Sequence, residues 1–409
     1  MQTCETDEIP NSGGPKDMQS PWQFSLFRIL FGSYLAIHFA MLAPWAAEVF
    51  GSGGVMPEPS MNPAHGLFPN PLDLKLPDAV VTAFVVLLAL ASLFFAAGCW
   101  RKPAALLLWF GSTALFHRNN LIGNPALPYT GLLLVLTLLV PSGEPLSRGP
   151  RRADWAMPVW VPRCAWILMA VGYTFSGLTK VGSPSWMDGS AIARLLENPL
   201  ARPGWVRDVL ASLPDGMLSA LTWGTLALEI LFLPLALFSR TRPWIWLAMV
   251  AMHLGIIAVV DFADLSFGML MLHLFTFDPR WLKPKATSLI LVRFDGECLM
   301  CSGSIRFLAD EDRGEYLRFT PLKVPPGTAP DTMLVEKDGR TLDRSDAILA
   351  ILDALGGHWR AMGMAGRMIP RTLRDAVYRF IARNRYRWFG KGNACSLPGE
   401  ALTKRLVDD

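Results

Sequence analysis

Asp295-Gly296-Glu297-Cys298-Leu299-Met300-Cys301 is the stretch that decides how the C-terminal part of this sequence folds. A strand-like run, residues 288–294, precedes it, and a helix-like run, residues 302–309, follows it. A Cys-x-x-Cys pair at such a strand-to-helix turn places the first sulfur near a helix N-terminus, where backbone N–H groups favour the thiolate. The second sulfur lies within reach of the first. The pattern therefore indicates dithiol–disulfide exchange.

The composition of the whole chain indicates membrane-spanning helices. Of the 409 residues, 52% are hydrophobic and only 18% are charged, which is too apolar for an ordinary soluble protein. The net charge of +4 is too small to indicate a nucleic-acid partner. Residues 1–21 are polar and lack a basic segment followed by an apolar core, so we expect no cleavable signal peptide.

Apolar runs recur along the first two thirds of the chain and predict an α-helical polytopic membrane bundle of about eight helices. Several runs are shorter than the ~20 residues of a full span, and these are tilted, buried within the bundle or re-entrant. The runs cover residues 26–50, 79–97, 104–116, 127–140, 164–178, 217–238, 244–260 and 265–277. The predicted division of the chain is a polar tail at 1–21, a transmembrane domain at 22–280, a linker at 281–288 and an α/β domain at 289–409.

The charges of the loops predict the orientation. With eight spans, about twice as many Lys and Arg residues fall on the side of the two termini as on the other side. We therefore expect an integral protein of the lipid bilayer, of the bacterial inner membrane, with its C-terminal domain in the cytoplasm. Such a compartment keeps thiols reduced and favours a reductase or redox sensor over oxidative folding.

Four ionisable residues interrupt or border apolar runs, where a charge is costly and usually has a role or a partner. For Lys180, the simplest explanation is a side chain that reaches the membrane interface. For Arg28 and Glu229 it is a structural ion pair within the bundle, and for His253 a hydrogen-bonded interior histidine. The alternative is that they form a site within the membrane domain.

Residues 173–180 (YTFSGLTK), followed by Trp186-Met187-Asp188-Gly189, resemble the signature of the vitamin K-dependent γ-carboxylase-like (HTTM) membrane family. Other similar pieces cover most of residues 20–285. The resemblance implies that Lys180 is a base acting during hydroquinone oxygenation, with a quinone-like lipophile as cofactor. Leu121 stands where the carboxylase has a histidine, and no equivalent of its large extramembrane domain is present. The other segments that resemble this family, outside residues 173–189, are residues 26–28, residues 119–123, Glu229, His253 and residues 267–279.

After residue 286, the order of elements predicts a small thioredoxin-like α/β domain. We expect strands at 288–294, 316–320 and 332–336, and Lys337-Asp338-Gly339 indicates a hairpin. Helices are expected at 302–309, 345–355 and 373–384. Pro330, just before a strand, is a candidate for a cis-proline facing the dithiol.

This domain resembles the DCC family of thiol–disulfide oxidoreductases, whose name reflects an Asp, Cys and Cys trio, here Asp295, Cys298 and Cys301. The similarity continues at residues 345–347 and 378–390 and spans about residues 289–397. It implies that Cys298 is the attacking thiolate and Cys301 the resolving thiol, with Asp295 accepting a proton or orienting the turn. The expected partner is a disulfide-containing protein or a small thiol.

Two other interpretations of the cysteine pair stay open, a zinc site and an inert buried pair. Zinc usually requires four ligands, and the domain adds only Cys395 and His358, which are far apart in sequence, so we expect no metal. A non-catalytic module that senses redox state is a further alternative to an enzyme.

A basic segment near the C-terminus lies beside aromatic residues. It is either a solvated helix face or a surface that binds anionic lipid. Its members are Arg371, Arg374, Arg379, Arg383, Arg385, Arg387 and Lys391.

Overall fold

The computed structural model describes residues 19–152, 154–261, 263–286, 288–322, 332–391 and 400–407. The chain divides into two compact units, an N-terminal unit that ends at Phe277 and a C-terminal unit that begins at Asp278. The first is mostly helical, and the second contains a small mixed sheet. Pro330, the expected cis-proline, and Cys395 lie outside the described residues.

The N-terminal unit is built from helices whose apolar side chains share one core. The first begins after Ser20, whose Oγ accepts the N–H of Gln23 at 3.0 Å, and Pro21 occupies its first turn. Phe24, Phe27 and Phe31 then recur on one face and are buried. The helices are α1 (Pro21–Leu42), α2 (Ala46–Phe50), α3 (Asp78–Ala96), α4 (Arg101–Arg118), α5 (Ala126–Leu139), α6 (Trp160–Lys180), α7 (Pro184–Met187), α8 (Ala191–Glu197), α9 (Trp205–Ala211), α10 (Asp215–Ile230), α11 (Phe232–Ala236), α12 (Arg242–Val259) and α13 (Ala263–Thr276).

Each predicted apolar run coincides with helical structure, but the eight-helix membrane bundle is not confirmed. Within the described ranges, three helical segments are long and apolar enough to cross a membrane: Pro21–Phe50, Asp78–Ala96 and Arg242–Val259. The 14-residue helix α5 is about 21 Å long, well short of a ~30 Å hydrocarbon core. Three apolar helices therefore indicate association with a membrane.

The C-terminal unit has a four-stranded sheet in the order β2-β1-β3-β4. Strand β1 pairs in parallel with β2 and antiparallel with β3, and β3 pairs antiparallel with β4. Parallel neighbours require a crossover, which α14 provides. The elements are β1 (Ile290–Phe294), α14 (Leu299–Glu311), β2 (Leu317–Pro321), β3 (Leu334–Lys337), β4 (Arg340–Asp343), α15 (Arg344–Leu355), α16 (Gly357–Arg367), α17 (Arg371–Phe389) and α18 (Glu400–Thr403).

Alternation along β1 positions the start of the dithiol stretch. Ile290, Val292 and Phe294 are buried against Ile305 of α14 and Ile351 of α15. This one-sided burial sets the register, since a slip of one residue would expose all three side chains. The strand consequently delivers the residues after Phe294 to the edge of the core.

The predicted hairpin is present between β3 and β4. Lys337 pairs with Arg340, and the two residues between them, Asp338 and Gly339, have positive φ values of 51° and 72°. Such a two-residue turn matches the twist of the strands that it joins. Helix α16 was not predicted, because the two glycines at its start, Gly356 and Gly357, are a pattern typical of a turn or loop.

Candidate dithiol site

The turn between β1 and α14 is shaped by Asp295. Its Oδ1 accepts the N–H of Glu297 at 3.0 Å, and its carbonyl oxygen accepts the N–H of Cys298 at 3.4 Å. An aspartate that bonds to its own backbone two residues later is a common way to form a turn. The turn brings Cys298 to the start of the helix.

Cys298 is the N-cap residue of α14. Its Sγ accepts the N–H of Cys301 at 3.4 Å, and its backbone is extended, with φ −90° and ψ 117°. Unpaired N–H groups and the helix dipole at this end stabilise negative charge. The Sγ of Cys298 therefore faces the N–H groups at the start of α14.

The second oxygen of Asp295 is held by two residues of α17. Arg385 Nη2 donates to Oδ2 at 2.7 Å, and the Tyr386 hydroxyl donates to the same oxygen at 2.5 Å. Burial disfavours the charge on Arg385, but its hydrogen bonds to Tyr386 and Asp295 outweigh that cost and raise the pKa of Arg385. Burial and the bond to Asp295 also raise the pKa of Tyr386. Asp295 is thus a carboxylate fixed by a permanent cation.

The neighbouring Cys301 is held as a thiol. Burial, the hydrogen bond to Cys298 and the negative charge of Asp295 raise the pKa of Cys301, and Arg385 only partly offsets them. The two sulfurs and a carboxylate oxygen of Asp295 all lie within 4.8 Å of one another. The two cysteines therefore differ: Cys298 caps the helix through its Sγ, and the raised pKa of Cys301 keeps that neighbour protonated.

The two sulfurs differ in access. Cys298 is 0% exposed, and the segment after α17 lies against it: Leu299 N–H reaches Gly390 O at 3.5 Å, and Cys298 forms a β-bridge with Lys391. Cys301 is half-buried and lines a largely apolar cavity of about 330 Å³ between α14, α15 and α17. Residues 390–391, which we call the cover segment, must move before Cys298 can meet a substrate.

Among the described residues, Asp295, Cys298 and Cys301 form the group that could ligate a metal. Asp295, Cys298 and Cys301 supply three donor atoms, one fewer than a structural zinc site uses. Both oxygens of Asp295 already accept hydrogen bonds, and His358 does not belong to this group. Within the part of the chain that the structure describes, these donors suit a dithiol better than a closed metal site.

In the N-terminal unit, two of the four predicted residues come together. Lys180 Nζ contacts the Oε2 of Glu229 and donates to Ser176 Oγ at 2.9 Å, and it lies 5.1 Å from the centre of the Trp186 ring. The side chain of Lys180 is 25% exposed. It is thus tied to a partner within the unit, in addition to any approach to an interface.

His253 and Arg28 belong to other clusters. The Nε2 of His253 lies 2.7 Å from the Tyr173 hydroxyl, which also contacts His273 Nε2 at 2.8 Å. Arg28 Nε lies 3.2 Å from Glu144. Arg28 and Glu229 each have an ion-pair partner, but they do not share one.

Some residues that contact the predicted site residues were not predicted, because nothing in the sequence around them indicates these contacts. Arg385 was grouped with the solvated or lipid-binding basic residues; this was wrong, since its side chain is 7% exposed and paired with Asp295. Glu144 lies in a Gly- and Pro-rich loop, yet Arg101 Nε also binds its Oε1, at 3.1 Å. The tyrosine after Arg385 gave no local signal for a site either.

The fold and the site define a class, that of small mixed-sheet domains with a Cys-x-x-Cys at a helix N-terminus. Comparison with known proteins identifies a family within this class. The family model described as DCC1-like thiol-disulfide oxidoreductase matches residues 292–391, which include Asp295, both cysteines, Arg385 and Tyr386. No solved structure matches the chain.

Two relatives place the match within a family. The uncharacterized protein YuxK of Bacillus subtilis (strain 168) is 34% identical over 125 residues, 28% of this chain and 90% of YuxK. A chloroplastic DCC family protein of Arabidopsis thaliana is 32% identical over 119 residues, 26% of this chain and 69% of the relative. The chain therefore belongs, through its C-terminal unit, to the DCC family of thiol–disulfide oxidoreductase-like proteins. These matches do not show the carboxylase-like relationship of the N-terminal unit.

Proposed function

We propose that this protein is a membrane-anchored thiol–disulfide oxidoreductase that uses Cys298 and Cys301. The observation that carries the proposal is the position of Cys298 Sγ at the N-cap of α14, beside a protonated Cys301. The order of strands and helices in the C-terminal unit supports a thioredoxin-like domain, and the three apolar helices of the N-terminal unit support the anchor.

In the proposed reaction, the Cys298 thiolate attacks one sulfur of a substrate disulfide. A mixed disulfide forms, and the other substrate sulfur leaves as a thiolate that takes up a proton. Cys301 then loses its proton and attacks Cys298 Sγ, which closes the Cys298–Cys301 disulfide and releases the second substrate thiol. The cysteine pair has given two electrons and the proton of Cys301, solvent has supplied the second proton, and a small thiol reductant restores the dithiol.

Asp295 acts in this scheme as a positioning residue. Its oxygens are occupied by the N–H of Glu297, by Arg385 and by Tyr386, which supports an orienting role over that of a proton acceptor. Its negative charge beside the sulfurs helps to keep Cys301 protonated until the mixed disulfide has formed.

The test follows turnover of the full-length protein in detergent micelles, with dithiothreitol as reductant and oxidised glutathione as substrate. We expect Cys298→Ser to abolish turnover, and Cys301→Ser to stop at a mixed disulfide that mass spectrometry detects on Cys298. Cys164→Ser, a free cysteine of the N-terminal unit, is the matched control and should retain full activity. Turnover that persists in Cys298→Ser would refute the assignment.

The same turnover assay distinguishes an enzyme from a non-catalytic redox sensor. A sensor closes and opens the Cys298–Cys301 disulfide as the glutathione potential changes, but shows no catalytic turnover with protein or small disulfides. Stoichiometric oxidation without turnover would favour the sensor.

We further propose that the C-terminal unit faces the cytoplasm of a bacterial cell, where a disulfide-containing protein or a small thiol is its partner. Counted with eight spans, the excess of basic residues on the side of both termini supports this orientation. Arg340→Cys in a Cys298→Ser/Cys301→Ser background provides an exposed thiol on β4 for labelling. A membrane-impermeant maleimide should label it in inverted vesicles and not in intact spheroplasts; the reverse pattern would overturn the orientation.

A second candidate function lies in the N-terminal unit, which we propose to be carboxylase-like and to act on a quinone-like lipophile through Lys180. Residues of the resembling segments that are distant in sequence meet in space, Lys180 with Glu229 and Tyr173 with His253. The protein should then co-purify with a lipophile that mass spectrometry of the organic extract detects. Loss of that lipophile in Lys180→Ala, but not in Lys75→Ala, supports the role, and its retention in Lys180→Ala contradicts it.

A further inference from the structure

Helix α17 of the C-terminal unit exposes a line of large apolar side chains, which we call the apolar stripe. Leu373, Val377, Phe380 and Trp388 recur at helical spacing and are 56%, 54%, 60% and 49% exposed. Asn384 lies in the same line, and its Nδ2 donates to the carbonyl oxygen of Phe380 at 2.8 Å. Single exposed apolar side chains are ordinary, but a continuous line of them marks a contact surface.

Another side of α17 is fixed by contacts with the rest of the unit. Arg385 Nη2 donates to Asp295 at 2.7 Å, and the Tyr378 hydroxyl accepts the backbone N–H of Met333, next to β3, at 3.0 Å. A rotation of the helix that buried the apolar stripe would break both contacts and leave the charge of Arg385 without its partner. The stripe is therefore held at the surface of the C-terminal unit.

A row of arginines follows one edge of the apolar stripe. Arg379, Arg383 and Arg387 recur at i, i+4 spacing, and all three are exposed. Among the described residues, no carboxylate lies within ion-pair distance of this row, whereas Arg374 of the same helix pairs with Asp346 at 3.2 Å. Like charges at this spacing repel one another, so the approach of an external anion would stabilise the helix.

We propose that the apolar stripe and the arginine row dock the C-terminal unit on an anionic phospholipid surface. A helix with Trp, Phe and Leu on one face and arginines beside them lies in the plane of a bilayer interface, with its apolar side chains at the acyl boundary and its cations at the phosphates. Trp388 suits this depth, because its ring is apolar and its indole N–H can donate to a lipid oxygen.

Two other occupants fit this surface less well. A second copy of the chain, related by a two-fold axis, would bring two arginine rows to one interface, where like charges repel. An acidic protein would neutralise the arginines, but it would have to compete with lipid. The three apolar helices of the N-terminal unit indicate association with a membrane, and a tether of this kind gives lipid a high effective concentration at α17.

The first test uses the unaltered full-length protein, so it does not depend on the folding of a variant. Phenylglyoxal modifies exposed arginines, and mass spectrometry measures the rate at each position. Nanodiscs of mixed phosphatidylcholine and phosphatidylglycerol should slow the modification of Arg379, Arg383 and Arg387 at least about fivefold relative to phosphatidylcholine alone, because each cation near an anionic surface contributes about that factor. Arg340, exposed on β4, is the control and should react equally in both.

The second test measures depth in the bilayer. Val377→Cys, in a background without other cysteines, carries a nitroxide on the apolar stripe, and Arg340→Cys carries one on β4. In anionic nanodiscs, oxygen should reach the nitroxide at position 377 while a water-soluble nickel chelate does not, and position 340 should show the reverse. Arg379→Gln/Arg383→Gln/Arg387→Gln should return position 377 to water, since it removes about a hundredfold from the docking equilibrium.

Three results would overturn the proposal. A nitroxide at position 377 that is shielded from both oxygen and nickel would show that protein covers the stripe, either another part of the chain or a second molecule. Free access of nickel in anionic nanodiscs would show a solvated helix face. Equal modification of the arginine row in both kinds of nanodisc would show that anionic lipid does not contact it. Since neither measurement uses the reactivity of Cys298 or Cys301, the outcome is independent of the proposed redox function.

Discussion

Asp295 in the C-terminal unit and Asp264 in the N-terminal unit are both held by three donors, but the donors differ in kind. Asp295 binds a backbone N–H, a tyrosine hydroxyl and the permanent cation Arg385. Asp264 binds a tyrosine hydroxyl, an amide and a histidine. Both carboxylates thus have three donor partners, and they differ in whether one of these partners is an arginine.

The difference shows how one residue type serves two purposes. Arg385 cannot release a proton near neutral pH, so the Asp295 cluster is fixed and serves to position the dithiol beside it. Asp264 is instead approached by His38, a histidine whose Nδ1 lies 2.8 Å from its Oδ1. The Asp295 carboxylate fixes the dithiol turn, whereas the Asp264 carboxylate joins α1 and α13 to the residues before α5.

The largest expected effect comes from a substitution that breaks the cluster of Asp295, Arg385 and Tyr386. Asp295→Asn leaves Arg385 buried without its counter-charge, and breaking such a pair costs about 3–5 kcal/mol. We expect the C-terminal unit to lose that free energy of unfolding, measured from the urea dependence of hydrogen exchange in peptides that contain β1. Asp264→Asn removes an acceptor of the Tyr34 hydroxyl and the Asn124 amide, and it should cost the N-terminal unit less, about 1–3 kcal/mol.

Glu297→Gln is the control for this prediction, because Glu297 lies in the same turn but its side chain is 73% exposed. It should change the unfolding free energy by less than about 0.5 kcal/mol. The double variant Asp295→Asn/Arg385→Met removes both charges and should be more stable than Asp295→Asn alone. If the double variant is the less stable of the two, the cost does not come from an unpaired arginine.

The second prediction contrasts His38 with a histidine that has no carboxylate. His358 in α16 is buried, and neither of its ring nitrogens has a hydrogen-bond partner among the described residues. Burial, with a smaller contribution from the positive charge of Arg313, lowers the pKa of His358 to about 3. In the unfolded chain a histidine titrates near 6.5, so between these values the unfolded state binds more protons.

The stability that depends on neutral His358 is therefore complete above about pH 6.5 and is lost as the pH falls toward 3. At pH 5 the loss is about 2 kcal/mol. Hydrogen exchange of the C-terminal unit at pH 7 and pH 5, corrected for intrinsic rates, measures it. His358→Leu should remove most of that difference, and a pH dependence identical to that of the unaltered protein would refute the proposed burial cost.

The parts of the fold that were predicted correctly rest on local patterns. Alternation in β1, the Cys-x-x-Cys at the start of α14 and the Asp338-Gly339 turn each act within a few residues, and the structure contains all three. Each apolar run became a helix for the same reason. Length, which decides whether a helix can span, also separates the three possible spans from shorter helices such as α5.

The partners of the site residues could not be predicted, because pairing over long sequence distances leaves no periodic signal. Asp295 and Arg385 are 90 positions apart, and Asp264 and His38 are 226 apart. A run rich in arginine does not reveal that one member turns inward. Only the packing of α17 against the end of β1 makes Arg385 part of the dithiol site.

The third prediction concerns access to Cys298, the property in which it differs most from Cys301. Gly390 has φ 84° and ψ 177°, a conformation that residues with a side chain adopt only at a cost of about 1 kcal/mol or more. Gly390→Ala should therefore loosen the cover segment. We expect iodoacetamide to alkylate Cys298 about fivefold faster, as quantified by mass spectrometry of the Cys298 peptide. Faster alkylation of Cys301 alone would show that the cover segment does not guard Cys298.

The smallest expected effect separates the backbone of the cover segment from its side chain. Lys391 Nζ lies 3.8 Å from Glu297 Oε2 with both side chains mostly exposed, and it also lies 4.8 Å from the centre of the Tyr386 ring. Exposed contacts of this kind contribute about 0.5 kcal/mol or less, so Lys391→Ala should change neither stability nor the alkylation rate of Cys298 measurably. The bridge to Cys298 is made by the backbone and stays in place. If Lys391→Ala accelerates alkylation as much as Gly390→Ala does, the side chain holds the cover closed through Tyr386, and the Asp295 cluster then controls access to the dithiol as well as its geometry.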